Sequence, residues 1–200
     1  MKRTLTLLVV AAAAGCDSQA PSDYQGDALG TIHGTIRNQA ASAPGAAEVV
    51  LLWHLETEDD QEVPVAVRTE VEGSFPASFT LDLFEPPPEE TYGQLDGLND
   101  NPSEHRAAMA MIFVFDEGQA PDGSTDYDFE TSLSWEERYI VTYAPEAVPA
   151  DEIEMGIDIP AGYGLMDFQD GARYSPIDTP VEIRLVDDKS ELGTPFGDDG

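Results

Sequence analysis

Val63-Pro64-Val65-Ala66-Val67-Arg68-Thr69-Glu70-Val71-Glu72-Gly73-Ser74-Phe75 is the stretch on which the fold turns. Valine or threonine stands at every second position from 63 to 71, with proline, alanine, arginine and glutamate between. A period of two sends alternate side chains to opposite faces of an extended chain, so the stretch reads as a strand with one apolar face. Pro64 has no amide proton to offer a neighbour, which places the strand at a sheet edge. Gly73-Ser74 then turns the chain into residues 75–84, where Phe79, Leu81 and Leu83 form one face, and Pro86-Pro87-Pro88 ends the run.

Outward from there the same grammar recurs. Thr31-Ile32-His33-Gly34-Thr35-Ile36 reads as a first strand, and Val49-Val50-Leu51-Leu52-Trp53-His54-Leu55 as a central one, apolar on both faces. Residues 89–105 read as a long polar connection. Residues 107–115, ending Ile112-Phe113-Val114-Phe115, are the most apolar segment after the N-terminus and read as a second central strand, with residues 104–111 the best candidate for a helical exception. Residues 139–143 and 181–185 give two further strands, and Ile153, Met155, Ile157 and Ile159 a weaker, extended edge. Seven or eight short strands between turn residues, with no long helical pattern, predict an all-β antiparallel sandwich, Ig-like or transthyretin-like, with little helix beyond the N-terminal segment.

Composition bounds the function. The 200 residues carry 40 acidic and 9 basic side chains, a formal charge of −31. A chain this acidic repels phosphate backbones and anionic headgroups, which excludes nucleic acid as a partner through a basic face. A charge this high is compatible with disorder, but 41% hydrophobic residues with 7 Tyr, 8 Phe and 2 Trp argue for a real core.

The N-terminus has the parts of an export signal: Lys2 and Arg3, an apolar run over residues 5–14, then Gly15-Cys16. The run is too short for a membrane span, which needs about 20 apolar residues. Ala13-Ala14-Gly15-Cys16 resembles the lipobox of bacterial lipoproteins, with alanine at Ala13 where that family most often has leucine. The resemblance implies that Cys16 becomes the acylated N-terminus, and that the partner at this end is a membrane reached through lipid. It implies an exported protein anchored in the bacterial cell envelope, at the periplasmic face or the cell surface. Asp17 resembles an inner-membrane retention signal of some bacteria, and the choice of membrane stays open. Cys16 is the sole cysteine, so a lipidated chain has no disulfide, thiolate nucleophile or cysteine-bound zinc. Removal of residues 1–15 leaves 7 basic residues against 40 acidic ones, a charge of −33. The organisation expected is a signal at 1–15, a lipidated tether at 16–29, a sandwich domain at 30–186 and an acidic, frayed tail at 187–200.

A second resemblance covers residues 30–75. The glycine-flanked first strand, Pro44-Gly45-Ala46, Val49-Val50-Leu51 and Gly73-Ser74-Phe75 are similar to the opening half of transthyretin-like and carboxypeptidase-regulatory-like sandwiches. That likeness implies a scaffold or binding role, with no enzyme chemistry.

Sites follow from the acids. Two loops offer hard oxygen ligands suited to calcium: Asp96, Asn99, Asp100, Asn101 and Glu104 in one, and Asp116, Glu117, Asp122, Asp126, Asp128 and Glu130 in the other. The second is the candidate metal site through Asp116, Asp122, Asp126, Asp128 and Glu130, though neither loop has EF-hand spacing. His33, His54 and His105 share no metal-ligand spacing, and no nucleophile elbow or phosphate loop is present. The carboxylate pairs Glu89-Glu90 and Glu136-Glu137 read as solvated surface. Trp53 belongs to the core by its apolar strand, whereas Trp135, between Ser134 and Glu136, is the candidate surface ligand contact. The leading expectation is a lipid-anchored, non-catalytic protein of binding, adhesion or structural role. A calcium-dependent surface module comes second, and a carboxylate-based hydrolase third.

Overall fold

Strand β1 (Gly30–Asn38) lies between β4 (Ala77–Leu83), antiparallel to it, and β11 (Val181–Leu185), which runs parallel; the three form the smaller sheet. The computed structural model describes residues 26–42, 44–54, 65–72, 74–98, 102–121, 131–169 and 171–193. The larger sheet runs β10 (Arg173–Pro176), β9 (Gly162–Asp167), β8 (Tyr139–Ala144), β6 (Pro102–Asp116), β2 (Ala46–Trp53) and β3 (Val65–Glu72), with β5 (Tyr92–Asp96) and β7 (Ser134–Trp135) added to β6. The two sheets pack face to face as an all-β sandwich, antiparallel except for the β1–β11 pair. No helix among the described residues is long and apolar enough to cross a membrane.

β6 organises the larger sheet. Its 15 residues extend about 50 Å at roughly 3.4 Å each, long enough for two strands in succession on each edge. On one edge β2 pairs with residues 110–116 and β5 with residues 102–108; on the other β7 pairs at Phe113 and Val114 and β8 at residues 108–110. The polar connection expected at 89–105 and the helical exception at 104–111 are therefore both corrected. Pairing with β5 at residues 106–108, with β8 at 108–110 and with β2 from 110 onward holds this stretch as strand, and this overrides the helix propensity of its alanines and methionines. β3 does form an outer edge, as its alternation with proline predicts. The run 153–159 makes only isolated bridges, Ile153 to Gly97 and Ile159 to Val148.

Alternation decides what each face does. Ile32 and Ile36 of β1, Phe79, Leu81 and Leu83 of β4, and Val181, Ile183 and Leu185 of β11 face Val49, Leu51, Trp53, Ile112, Val114, Val141 and Leu165 of the larger sheet. Gly34 lies in that inner row, and its missing side chain makes room for the Phe79 ring: a Cβ there would stand 2.2 Å from Phe79 Cζ and 2.8 Å from a Val181 methyl. The back of the larger sheet is also apolar. Residues 144–160 cover part of it through Val148, Ile153 and Ile159, packed on Leu95, Ala107 and Met166. This double burial is why β2 and β6 read as apolar on both faces.

The sandwich has two distinct ends. Gly30, where the chain enters β1, packs on Tyr163, whose ring lies 6.3 Å from Trp53 at the close of β2. At the opposite end lie Asn38, Leu185, the start of β2 and Asp116 at the close of β6.

Candidate functional site

The end remote from Gly30 carries an acidic cleft. β2 opens there with Ala46 beside Glu72 of β3 and Ala47 beside Asp116 of β6, and the chain then turns, Gln119 N–H donating to Asp116 O at 3.0 Å. Gly45, Ala46, Glu72, Asp116 and Glu117 line an open cleft of about 600 Å³. Arg68 of β3 donates to Pro121 O at 3.0 Å and pins the start of the following loop. Of the expected calcium ligands, Asp116 thus lines the cleft rim, while Asp122, Asp126, Asp128 and Glu130 lie outside the described residues. In the first loop Asp96 and Glu104 are exposed, and Asn99, Asp100 and Asn101 lie outside the described residues. Among the described residues no three His, Cys, Asp or Glu side chains come together to hold a metal ion. Cys16 also lies outside them.

A second polar assembly is more tightly built. Through residues 132–137 the usual order is reversed: Ser132, Ser134 and Glu136 are buried, while Leu133, Trp135 and Glu137 are half-buried. Ser134 Oγ donates to Arg184 O of β11, which ties the larger sheet to the smaller one. Glu136 is only 3% exposed. Its Oε1 accepts the backbone N–H of Arg138 at 3.0 Å and of Tyr139 at 3.3 Å, while Oε2, also buried, has no hydrogen-bond partner among the described residues. Burial pushes this carboxyl up to about 7, against the two backbone hydrogen bonds that favour its charged form; neighbouring Glu137 adds to the rise. The reading of Glu136-Glu137 as solvated surface is therefore corrected at Glu136. The sequence signal for it is the alternation Ser132-Ser134-Glu136, in which the polar residues hold the inward positions.

Glu137 behaves oppositely. Burial would raise it, but the fork of Arg184, with Nε to Oε1 at 2.7 Å and Nη2 to Oε2 at 2.6 Å, outweighs that and holds it below the usual range. Glu137 Oε2 also accepts Gly193 N–H at 2.8 Å. Trp135 donates its indole N–H to Gly193 O at 2.8 Å and packs against Val50, Leu52, Phe113 and Phe115 on the back of the larger sheet. Gln169 donates to Glu137 O at 2.9 Å, and Arg138 pairs with the buried Asp167 at 2.7 Å. The segment expected to fray is thereby fastened as far as Gly193: it forms a short turn at Lys189–Glu191, capped by Asp188, and buries Leu192. Two hydrogen bonds to Gly193 and a buried leucine fix a stretch whose charge and glycines resemble a loose tail. Residues 194–200 lie outside the described ones.

His105 makes a third polar contact. Its Nε2 stands 2.6 Å from Glu152, and Nδ1 stands 3.8 Å from Glu146, so β6 is joined to the covering segment 144–160. His33 lies 3.4 Å from Thr80 on the outer face of the smaller sheet.

A scan of protein-family models finds no match for this chain, and comparison with curated proteins and with solved structures finds none either.

Proposed function

We propose that the chain is an exported lipoprotein of the bacterial cell envelope, held to a membrane through acylated Cys16 and acting by non-catalytic binding, adhesion or scaffolding. The observation that carries this reading is the pattern Ala13-Ala14-Gly15-Cys16 behind a basic and apolar leader, joined to the sandwich by thirteen mostly polar residues. The geometry of the domain supports it. Leu29 N–H donates to Leu83 O at 2.7 Å, which fixes where the chain meets the sandwich. The chain enters β1 at Gly30, and the nine residues of β1 carry it about 30 Å further, at roughly 3.3 Å per residue. The acidic cleft lined by Glu72, Asp116 and Glu117 is thus displayed on the end that faces away from the attachment. The polar residues with the strongest mutual contacts, Glu137, Arg184, Asp167 and Arg138, are engaged in holding the strands and residues 188–193 together.

Replacing Cys16 by serine tests the anchor. The full chain should fractionate with membranes, and Cys16→Ser should move it to the soluble fraction or leave it with its leader uncleaved. A Cys16→Ser chain that is processed and still membrane-bound would refute lipidation at that residue. A calcium-dependent surface module is the second reading; Asp116 on the cleft rim, at the head of the acidic loop, favours it.

A further inference from the structure

Glu136 and Glu137 are adjacent in sequence but hold opposite positions. Glu136 is turned inward, sealed from solvent, with one oxygen taking two amides of its own turn and the other without a hydrogen-bond partner among the described residues. Glu137 is turned outward and is the hub of the C-terminal strap: Arg184, Gly193 N–H and, through its carbonyl, Gln169 all converge on it. We propose that this turn is a proton-operated latch on residues 188–193, closed while the Glu136 carboxyl keeps its proton and opened when that proton is lost to solvent.

The charged groups around Glu136 are few and already committed. From its own turn come Glu137 and Arg138; from β9 comes Asp167, which holds Arg138; from β11 comes Arg184, which holds Glu137. β6 contributes backbone, Ile112 O accepting Glu136 N–H at 2.9 Å, and apolar side chains. Among the described residues the cation whose charge favours a carboxylate at Glu136 is Arg138, and it is shared with Asp167 at 2.7 Å, while Arg184 is bidentate on Glu137; burial outweighs that shared charge. A charge there has one inexpensive route to water, which is outward rotation of the turn. Because Trp135 and Glu137 flank Glu136, the same rotation withdraws both hydrogen bonds to Gly193 and the partner of Arg184 at once. A carboxyl poised to release its proton near neutrality, as burial makes this one, puts the transition in a range an exported protein meets.

The test is hydrogen exchange on the full chain between pH 5.5 and 8.5, with intrinsic rates divided out. The amides of Glu191, Leu192 and Gly193, bonded to Asp188 O, Lys189 O and Glu137 Oε2, should lose at least about tenfold in protection as pH rises, while β1 and β4 amides keep theirs. Glu136→Gln should hold the strap protected throughout, and Glu137→Gln should leave it unprotected throughout. Carbon NMR of the Glu136 carboxyl in the unmodified chain supplies a readout free of folding defects: its midpoint should coincide with that of strap release. Unchanged strap protection, a Glu136 midpoint near the ordinary glutamate value, or release that persists in Glu136→Gln would each overturn the proposal.

Discussion

Glu136→Gln isolates the cost of keeping one carboxyl inside this sandwich. Gln matches the shape, keeps an oxygen for the amides of Arg138 and Tyr139, and cannot ionise. In the folded chain burial raises the Glu136 carboxyl to about 7, from 4.5 in its ordinary setting. Between those values the folded chain holds a proton that the unfolded chain has released, so folding is favoured there by protonation. The contribution is fully present below about pH 4.5 and is lost as pH climbs through about 7. At about 1.36 kcal/mol per pH unit the total is about 3 kcal/mol, and opening of the turn limits the loss by letting the carboxylate reach water. Glu136→Gln does not pay this penalty, so its advantage over the parent should be under about 1 kcal/mol at pH 5 and should grow to as much as about 3 kcal/mol at pH 8. Urea unfolding at constant ionic strength over pH 5 to 8 measures it, with both chains compared at each pH so that the shared repulsion among the other acids cancels. A difference that stays flat across this range would refute the claim that Glu136 is held neutral by burial.

Three further outcomes follow from packing, charge and the acidic loop. Gly34→Ala places a methyl 2.2 Å from the Phe79 ring and should lower stability by about 1–3 kcal/mol, read as a fall of several degrees in Tm; a Tm equal to the parent's would mean that Phe79 does not lie across Gly34. Raising NaCl from about 10 mM to about 500 mM shortens the screening length from roughly 30 Å to under 5 Å, so Tm should rise, and an unchanged or lower Tm would count against surface repulsion as a destabilising force. Calcium at several millimolar should raise Tm further at matched ionic strength only if the loop headed by Asp116 binds it.

The strands legible in the sequence are those whose two faces differ or whose both faces are apolar. β1, β2, β3, β4, β8 and β11 announce themselves because their side-chain pattern and their burial coincide. β7, β9 and β10 do not. β9, Gly162-Tyr163-Gly164-Leu165-Met166-Asp167, has two glycines and an aspartate in six residues, yet five of its six residues are buried. Gly164 is required there because Tyr174 of β10 lies over it, its hydroxyl 1.9 Å from where a Cβ would be. A glycine chosen for a neighbour's ring looks the same in sequence as a glycine chosen for a turn, and only the pairing distinguishes them. The same limit applies to the site. Glu136-Glu137 reads as one solvated pair because two adjacent acids carry one signal, whereas folding assigns them to opposite sides of the chain. Trp135 reads in the sequence as a surface ligand contact, which the structure corrects: it packs on the Phe113 cluster, and its hydrogen bond reaches a residue 58 positions later, a separation no local pattern encodes.

With 40 acids and 9 bases in the chain, an acid can find a cation only rarely, while a cation always has acids in reach. Where the basic residues stand is therefore set by what they join, and five arginines each join separate segments. Arg37 connects β1 to β11, Arg68 connects β3 to the loop at Pro121, Arg106 connects β6 to β5 through Tyr92 O, Arg138 connects the β7–β8 turn to β9, and Arg184 connects β11 to that same turn. These are not equal. Arg37 and Glu182 are 58% and 50% exposed, and water competes for both, so the pair contributes at most about 1 kcal/mol. Arg184 and Glu137 are 32% and 16% exposed and joined by two hydrogen bonds, and they span the two sheets and the strap together. A chain that relies on scarce cations at its seams concentrates control at the few acids those cations hold. Glu137 is the one among them that adjoins a buried, titrating carboxyl, so the seam it closes is the one whose strength depends on pH.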